Sequence, residues 1–170
     1  MLGKPEVGWT KVTIGEFEQD ASYTTCVPMD CLEACLHRVK EKGPLAFTFD
    51  AEGPGRFFVT STSSDTIISW EYWEDPDDSC IRIVGVNDVR LVLEIVHDIE
   101  LYMDDWCNEW DFSFTKEELT HKLEELKSLL PEWYPLRNIS HHLSLFRDRS
   151  EAVLNLWVVP FDINSSPRSS

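Results

Sequence analysis

The chain predicts an α+β fold: an antiparallel β-sheet of about five to six strands with three packed helices. Three observations carry that expectation. Apolar residues alternate in short runs between residues 45 and 84, and turn-rich segments join the runs. After Gly85 the apolar spacing changes to three and four, the period of a helix. A second leucine stripe follows Thr115-Lys116-Glu117-Glu118, a capping-box pattern.

The elements follow in order. Residues 7–17 alternate loosely, with Val7, Trp9 and Lys11 against Val12 and Ile14, and predict a short strand. Residues 18–25 are polar and read as a turn. Pro28 suits the first helical position. Met29, Leu32, Cys35, Leu36 and Val39 then recur at helical spacing, with Gly43 as the C-cap and Pro44 as the stop. Residues 45–49 form a strand in which Leu45, Phe47 and Phe49 share a face. Gly53-Pro54-Gly55 turns the chain into a strand at 56–60, and residues 61–65 turn it into another at 66–73. The acidic turn at 74–79 leads to a strand at 80–84. Short connections make these four an antiparallel meander.

The next helix spans residues 87–108. Val89, Val92, Leu93, Val96, Ile99, Met103 and Trp106 step along it, and Leu91, Ile95 and Tyr102 widen the apolar arc. That arc covers roughly half the circumference, so the helix is expected to be deeply buried. Asn87 or Asp88 can cap it. The third helix carries Leu119, Leu123, Leu126 and Leu130 and is expected to end at Pro131. Residues 135–140 read as a loop. Residues 152–159 read as a last strand, apolar on both faces and therefore central or covered. With 170 residues there is room for one good core. The expectation is a single globular domain over residues 1–162 and a Ser/Pro-rich tail at 163–170.

Composition narrows the function. The formal net charge is -16, and residues 65–125 hold eighteen Asp and Glu against four Lys and Arg, or about -14 of it. Such a surface repels nucleic acid and membranes and attracts cationic partners. The five cysteines, an odd number without regular spacing, favour a reducing compartment. The first eight residues lack a signal-peptide core, and no apolar run is long enough for a bilayer. A cytoplasmic protein is the expectation.

Four tryptophans accompany the acidic stretch. Trp70 and Trp73 are an odd number of residues apart, so a regular strand sends them to opposite faces and one becomes an exposed anchor. Trp106 lies on the apolar arc, and Trp110 beyond it is a surface candidate. Around them, Glu74, Asp75, Asp77 and Asp78 form one acidic cluster. Glu94, Asp98, Asp104, Asp105 and Glu109 form a second along the helix. Trp70, Trp73, Trp110 and these acids are the candidate partner-binding residues. Carboxylates steer a basic partner and aromatics anchor it. The same acids also read as a solvated face that keeps the chain soluble.

Other chemistries find less support. Glu94 and Asp98 are one turn apart, but no cleft marks them as a glycosidase pair. Asp75, Asp77 and Asp78 lack the spacing of a calcium loop. His141 and His142 do not form a zinc motif, nor does Cys31 with Cys35. Cys31, near a helix N-terminus, has the position of an activated thiolate but no base one turn away. The expectation is a non-enzyme without cofactor or metal.

In size, acidity and its Trp-rich acidic patch, the chain resembles the small immunity proteins of bacterial toxin systems. The resemblance is one of general character and carries no family motif. It implies an inhibitor that occupies the cationic groove of a cognate toxin, a nuclease being a fitting target. An adaptor for a basic protein or a nucleic-acid mimic would use the same surface. An enzyme built around His141, His142 and Cys31 is the remaining class.

Overall fold

The computed structural model describes residues 1–51, 55–72, 79–110 and 114–133. They form an α+β fold in the order β1 (Trp9–Ile14), β2 (Phe17–Ser22), α1 (Val27–Glu41), β3 (Leu45–Asp50), β4 (Gly55–Ser61), β5 (Thr66–Tyr72), β6 (Cys80–Val84), α2 (Asp88–Leu101), α3 (Met103–Glu109) and α4 (Lys116–Trp133). The six strands are all antiparallel. β3-β4-β5-β6 is the expected meander, and β1-β2 is a separate hairpin. These elements belong to one compact unit, Met1–Tyr134. The expected loop at 135–140, last strand at 152–159 and tail at 163–170 lie outside the described residues. No helix among the described residues is long and apolar enough to cross a membrane.

The hairpin corrects the reading of residues 18–25 as a turn. Phe17–Ser22 is a strand, paired from Ile14↔Phe17 to Trp9↔Ser22. Glu18, Gln19 and Asp20 hide the alternation, and small Ala21 and Ser22 are buried by pairing and packing. Gly15 has φ 58 in the first of two loop positions, where a type II′ hairpin favours glycine.

One face of the meander is the core. Leu45, Phe47, Phe49, Phe57, Val59 and Ile68 are buried there. A run of rings crosses it: Phe47 on Phe49 at 5.2 Å, Phe49 on Phe57 at 4.9 Å, and Phe57 on Trp70 at 5.6 Å between centroids. Phe17 of the hairpin joins at Phe57, 5.3 Å away. α1 packs on β3, α2 and α4. Its buried stripe runs from Val27 and Cys31 through Leu32, Cys35 and Leu36 to Val39. The left-handed C-cap is Lys42, φ 57, and not Gly43.

The single helix expected at 87–108 is two. Asn87 caps α2, its side chain accepting from the Arg90 N–H at 2.9 Å. Tyr102, at φ -109 and ψ 25, separates α2 from α3. The bonds Tyr102 N–H to Asp98 O and Trp106 N–H to Tyr102 O keep the two nearly continuous, so the apolar arc holds its phase. α4 begins with the expected capping box: Glu118 N–H donates to Thr115 Oγ1 at 3.1 Å, and Thr115 N–H to Glu118 Oε2 at 2.7 Å. Its leucine stripe is buried. The helix does not end at Pro131 but runs to Trp133. A proline this close to the end removes only one bond of the last turn.

Arg38 joins three helices. Its Nη2 and Nε lie 2.6 and 2.7 Å from Asp88 Oδ2 on α2, and its guanidinium sits 5.7 Å from the Trp133 ring centre on α4. Asp88 is 1 % exposed, so the pair is a junction of the fold and not a surface contact.

Candidate functional site

The acidic helix does not present a free ridge. Asp98 Oδ2 accepts from the Met1 amino group at 2.6 Å and the Leu2 N–H at 2.7 Å. Glu94 lies 3.3 Å from the same amino group and accepts from Arg90 Nε at 2.8 Å. Their side chains are 15 % (Glu94) and 14 % (Asp98) exposed. The expectation of a wet face is therefore corrected at these two positions. The N-terminal segment lies antiparallel to β1, through Gly3 N–H to Lys11 O and Thr13 N–H to Met1 O, and covers them.

The other helix acids have partners too. Asp104 pairs with Lys116 at 2.5 Å and Asp105 with Lys4 at 3.2 Å. The Glu109 carboxylate accepts from the Val7 N–H at 3.4 Å, and its main-chain carbonyl from the Gly8 N–H at 3.0 Å. Trp110 is corrected from surface anchor to core: it is 4 % exposed, and its Nε1 donates to Thr25 O at 3.1 Å. It packs edge-on against Trp106, 5.0 Å between centroids. Trp70 is half-buried on the core face. Trp73, Glu74, Asp75, Asp77 and Asp78 lie outside the described residues, as do His141 and His142.

The enzyme reading loses its thiol. Cys31 is fully buried, and burial, then Cys35, holds its thiol well above the ordinary value. A helix N-terminus lowers a thiol pKa only where the thiolate keeps some solvation, and here the apolar surroundings win. A shallow groove between α1 and β3 holds Asp30, Glu33 and His37 above Phe47. Burial, then Glu33, raises the Asp30 carboxyl. Glu33 is engaged by Lys122 and His37 by Glu41.

The residues that stand out were not among the candidates. Ile67, Ile81 and Ile83 are 41 %, 71 % and 69 % exposed. Ile67 pairs with Ile83 and Ser69 with Ile81, so the three share the outer face of the meander. Phe58 lies on that face, with Arg56 over its ring at 5.0 Å. β6 is open on its other face as well, where Cys80 and Arg82 are exposed. Asp65 and Glu71, the latter paired with Arg56 at 3.0 Å, bracket the isoleucines at the two ends of β5. The sequence signal was the alternation of Ile81 and Ile83 about Arg82. It marks a two-sided strand but does not say which side is covered.

Comparison with models of protein families, with curated proteins and with solved structures gives no match for this chain.

Proposed function

We propose that this protein binds a basic protein partner through the outer face of its meander, as an immunity protein binds and neutralises a cationic toxin. The observation that carries the reading is the trio Ile67, Ile81 and Ile83 exposed on a chain of net charge -16. Apolar side chains at the centre of a patch supply most of the binding energy, and surrounding charge sets approach and orientation. The acids engaged inside the fold still contribute to the long-range field, because intramolecular pairing leaves the net charge unchanged. A groove that evolved to hold phosphates is cationic, so a nuclease toxin is a fitting target. An adaptor or a nucleic-acid mimic would differ only in the partner.

The test is capture of a partner from the source cells at low salt, in parallel with the doubly substituted Ile81→Ser/Ile83→Ser protein. Burying both isoleucines is worth about 3 kcal/mol, roughly a hundredfold in affinity. The expected result is a partner whose binding weakens as salt rises and is lost in the variant. A partner held equally by both proteins moves the site to another face. A flat salt series removes the electrostatic part of the reading.

A further inference from the structure

We propose that β6 accepts a β-strand from the partner: an extended basic segment that pairs with the main chain of Ile81 and Ile83 and extends the meander. The inference rests on the reading above, that this face binds a basic protein, and adds the mode of binding.

The direction of the β6 main chain follows from the ladder. In the β3–β4 turn the Ala51 N–H donates to Gly55 O, and in the β4–β5 turn the Thr62 N–H donates to Asp65 O. Hydrogen-bonded and non-bonded pairs alternate along an antiparallel ladder. Counting from Thr62 and Asp65 along the register, Thr60 and Ile67 are a bonded pair. Ile67 therefore spends its main-chain groups on β4. Its opposite number on β6, Ile83, sits in a non-bonded pair. Counting from Ala51 and Gly55 gives the same parity, since Ser61 then bonds Leu45 and not Thr66. On β6, Cys80, Arg82 and Val84 bond to β5, while the N–H and C=O of Ile81 and Ile83 point off the other edge. No strand lies beyond β6 among the described residues. The two residues with outward main-chain groups carry the most exposed large apolar side chains on the outer face.

An edge like this is usually blunted by proline, a bulge or charge. β6 is Cys-Ile-Arg-Ile-Val, without proline, and its one charge is Arg82. An added strand would gain main-chain bonds from Ile81 and Ile83 and place alternate side chains against theirs. A second copy is the poorer occupant. The register that pairs all of β6 with itself sets two Arg82 side chains face to face, and each copy brings a charge of -16. A segment that carries its Lys or Arg on the outer face avoids both obstacles, because Arg82 lies on the other face of β6. Its apolar side chains fit Ile81 and Ile83, and Lys or Arg flanking them on the same face approach Asp65 at one end and, at the other, Glu71, which Arg56 already holds at 3.0 Å.

The test uses the full chain and a set of eight-residue synthetic peptides with Val or Ile at the two positions that face Ile81 and Ile83, Lys or Arg at the flanking positions of the same face, and Thr or Ser on the face of Arg82. Each is paired with a copy N-methylated at alternate residues, which cannot join a ladder. Amide hydrogen exchange is read at single residues. The expected result is at least tenfold slower exchange at Ile81 and Ile83 with the plain peptides and no change with the methylated ones. Arg82, already bonded to β5, should change little. Failure of every peptide to slow Ile81 and Ile83, or equal binding of the methylated copies, overturns the proposal. Amides of Ile81 and Ile83 already slow in the peptide-free chain also overturn it: independently of protein concentration, the edge is filled from within; with concentration, by a second copy.

A second arm compares Ile83→Ala, which keeps the N–H, with Ile83→Pro, which removes it. The outward N–H makes no ladder bond, so the proline leaves the sheet intact. At least tenfold weaker partner capture by Ile83→Pro than by Ile83→Ala is expected, and equal capture counts against strand addition. If Ile81→Ser/Ile83→Ser loses the partner while the exchange test fails, the face binds by side chains alone. If that variant keeps the partner, the underlying reading fails.

Discussion

Asp98 on α2 holds the first two residues of the chain, with its Oδ2 2.7 Å from the Leu2 N–H and 2.6 Å from the Met1 amino group. A carboxylate in this setting contributes to folding before it contributes to recognition. A hydrogen bond to a charged group is worth about 1.5–3 kcal/mol. Asp98→Ala is therefore expected to lower unfolding stability by about 2 kcal/mol, read from urea denaturation. Partner affinity should change little at temperatures where the variant stays folded. Joint reversal of Glu94, Asp98 and Asp105 should lose stability first, and a loss of affinity alone would restore these acids to the binding surface.

Val7 is strained. Residues 6–9 make a tight turn, with Glu6 and Trp9 exchanging both main-chain bonds, and Val7 has φ 50 and Gly8 φ 79. Positive φ at both central residues is the type I′ pattern, which favours Asn-Gly. A β-branched residue there costs roughly 1–2 kcal/mol. Val7 is 82 % exposed, so its side chain gives up little burial when replaced. Val7→Asn should stabilise the protein by about 1 kcal/mol, seen as a higher Tm.

Asp30 gives a pH signature. Burial first, then Glu33, raises its pKa from the ordinary 3.8, so the folded state favours the protonated carboxyl. Well below pH 3.8 both states are protonated and the residue is neutral in effect. As pH rises through that value the unfolded chain ionises first, and stability falls until the folded group ionises too. Asp30→Asn should thus match the parent near pH 3 and exceed its Tm above the carboxylate range. An advantage that is constant across pH would assign the effect to packing.

The cysteines should separate by reactivity. Cys80 is exposed, whereas Cys31 and Cys35 are buried and burial raises both thiols. Burial, then Asp30, pushes the half-buried Cys26 up to about 11. Iodoacetamide at neutral pH should label Cys80 first and leave Cys31 and Cys35 intact until the protein unfolds, by mass spectrometry of digests. Early labelling of Cys31 would reopen the nucleophile reading.

Much of the fold was legible because its signals are local. Period-2 runs placed β3 to β6 to within a residue or two, and the capping box and leucines placed the start and face of α4. β2 was missed because three polar residues precede the small pair Ala21 and Ser22, whose burial comes from partners. The site was harder. Which acids are free depends on Met1, Lys4 and Lys116, which lie far away in sequence or around a helix end. The place of Trp110 after the helix suggests exposure, yet its partner is the carbonyl of Thr25. The open face of β6 depends on strand order and on where the helices stop covering the sheet, and neither is written in a five-residue pattern.

The N-terminal segment is tied to the rest of the fold across long stretches of chain: Leu2 to Asp98, Gly8 to Glu109 and Thr25 to Trp110. During synthesis, residues 1–25 emerge well before the helices that receive them. The meander, with its short turns, can form from neighbouring residues, but the β1-β2 hairpin must wait with Val12 and Ile14 uncovered. The hairpin should therefore lock late, and its docking should govern how quickly the native state opens more than how quickly it forms.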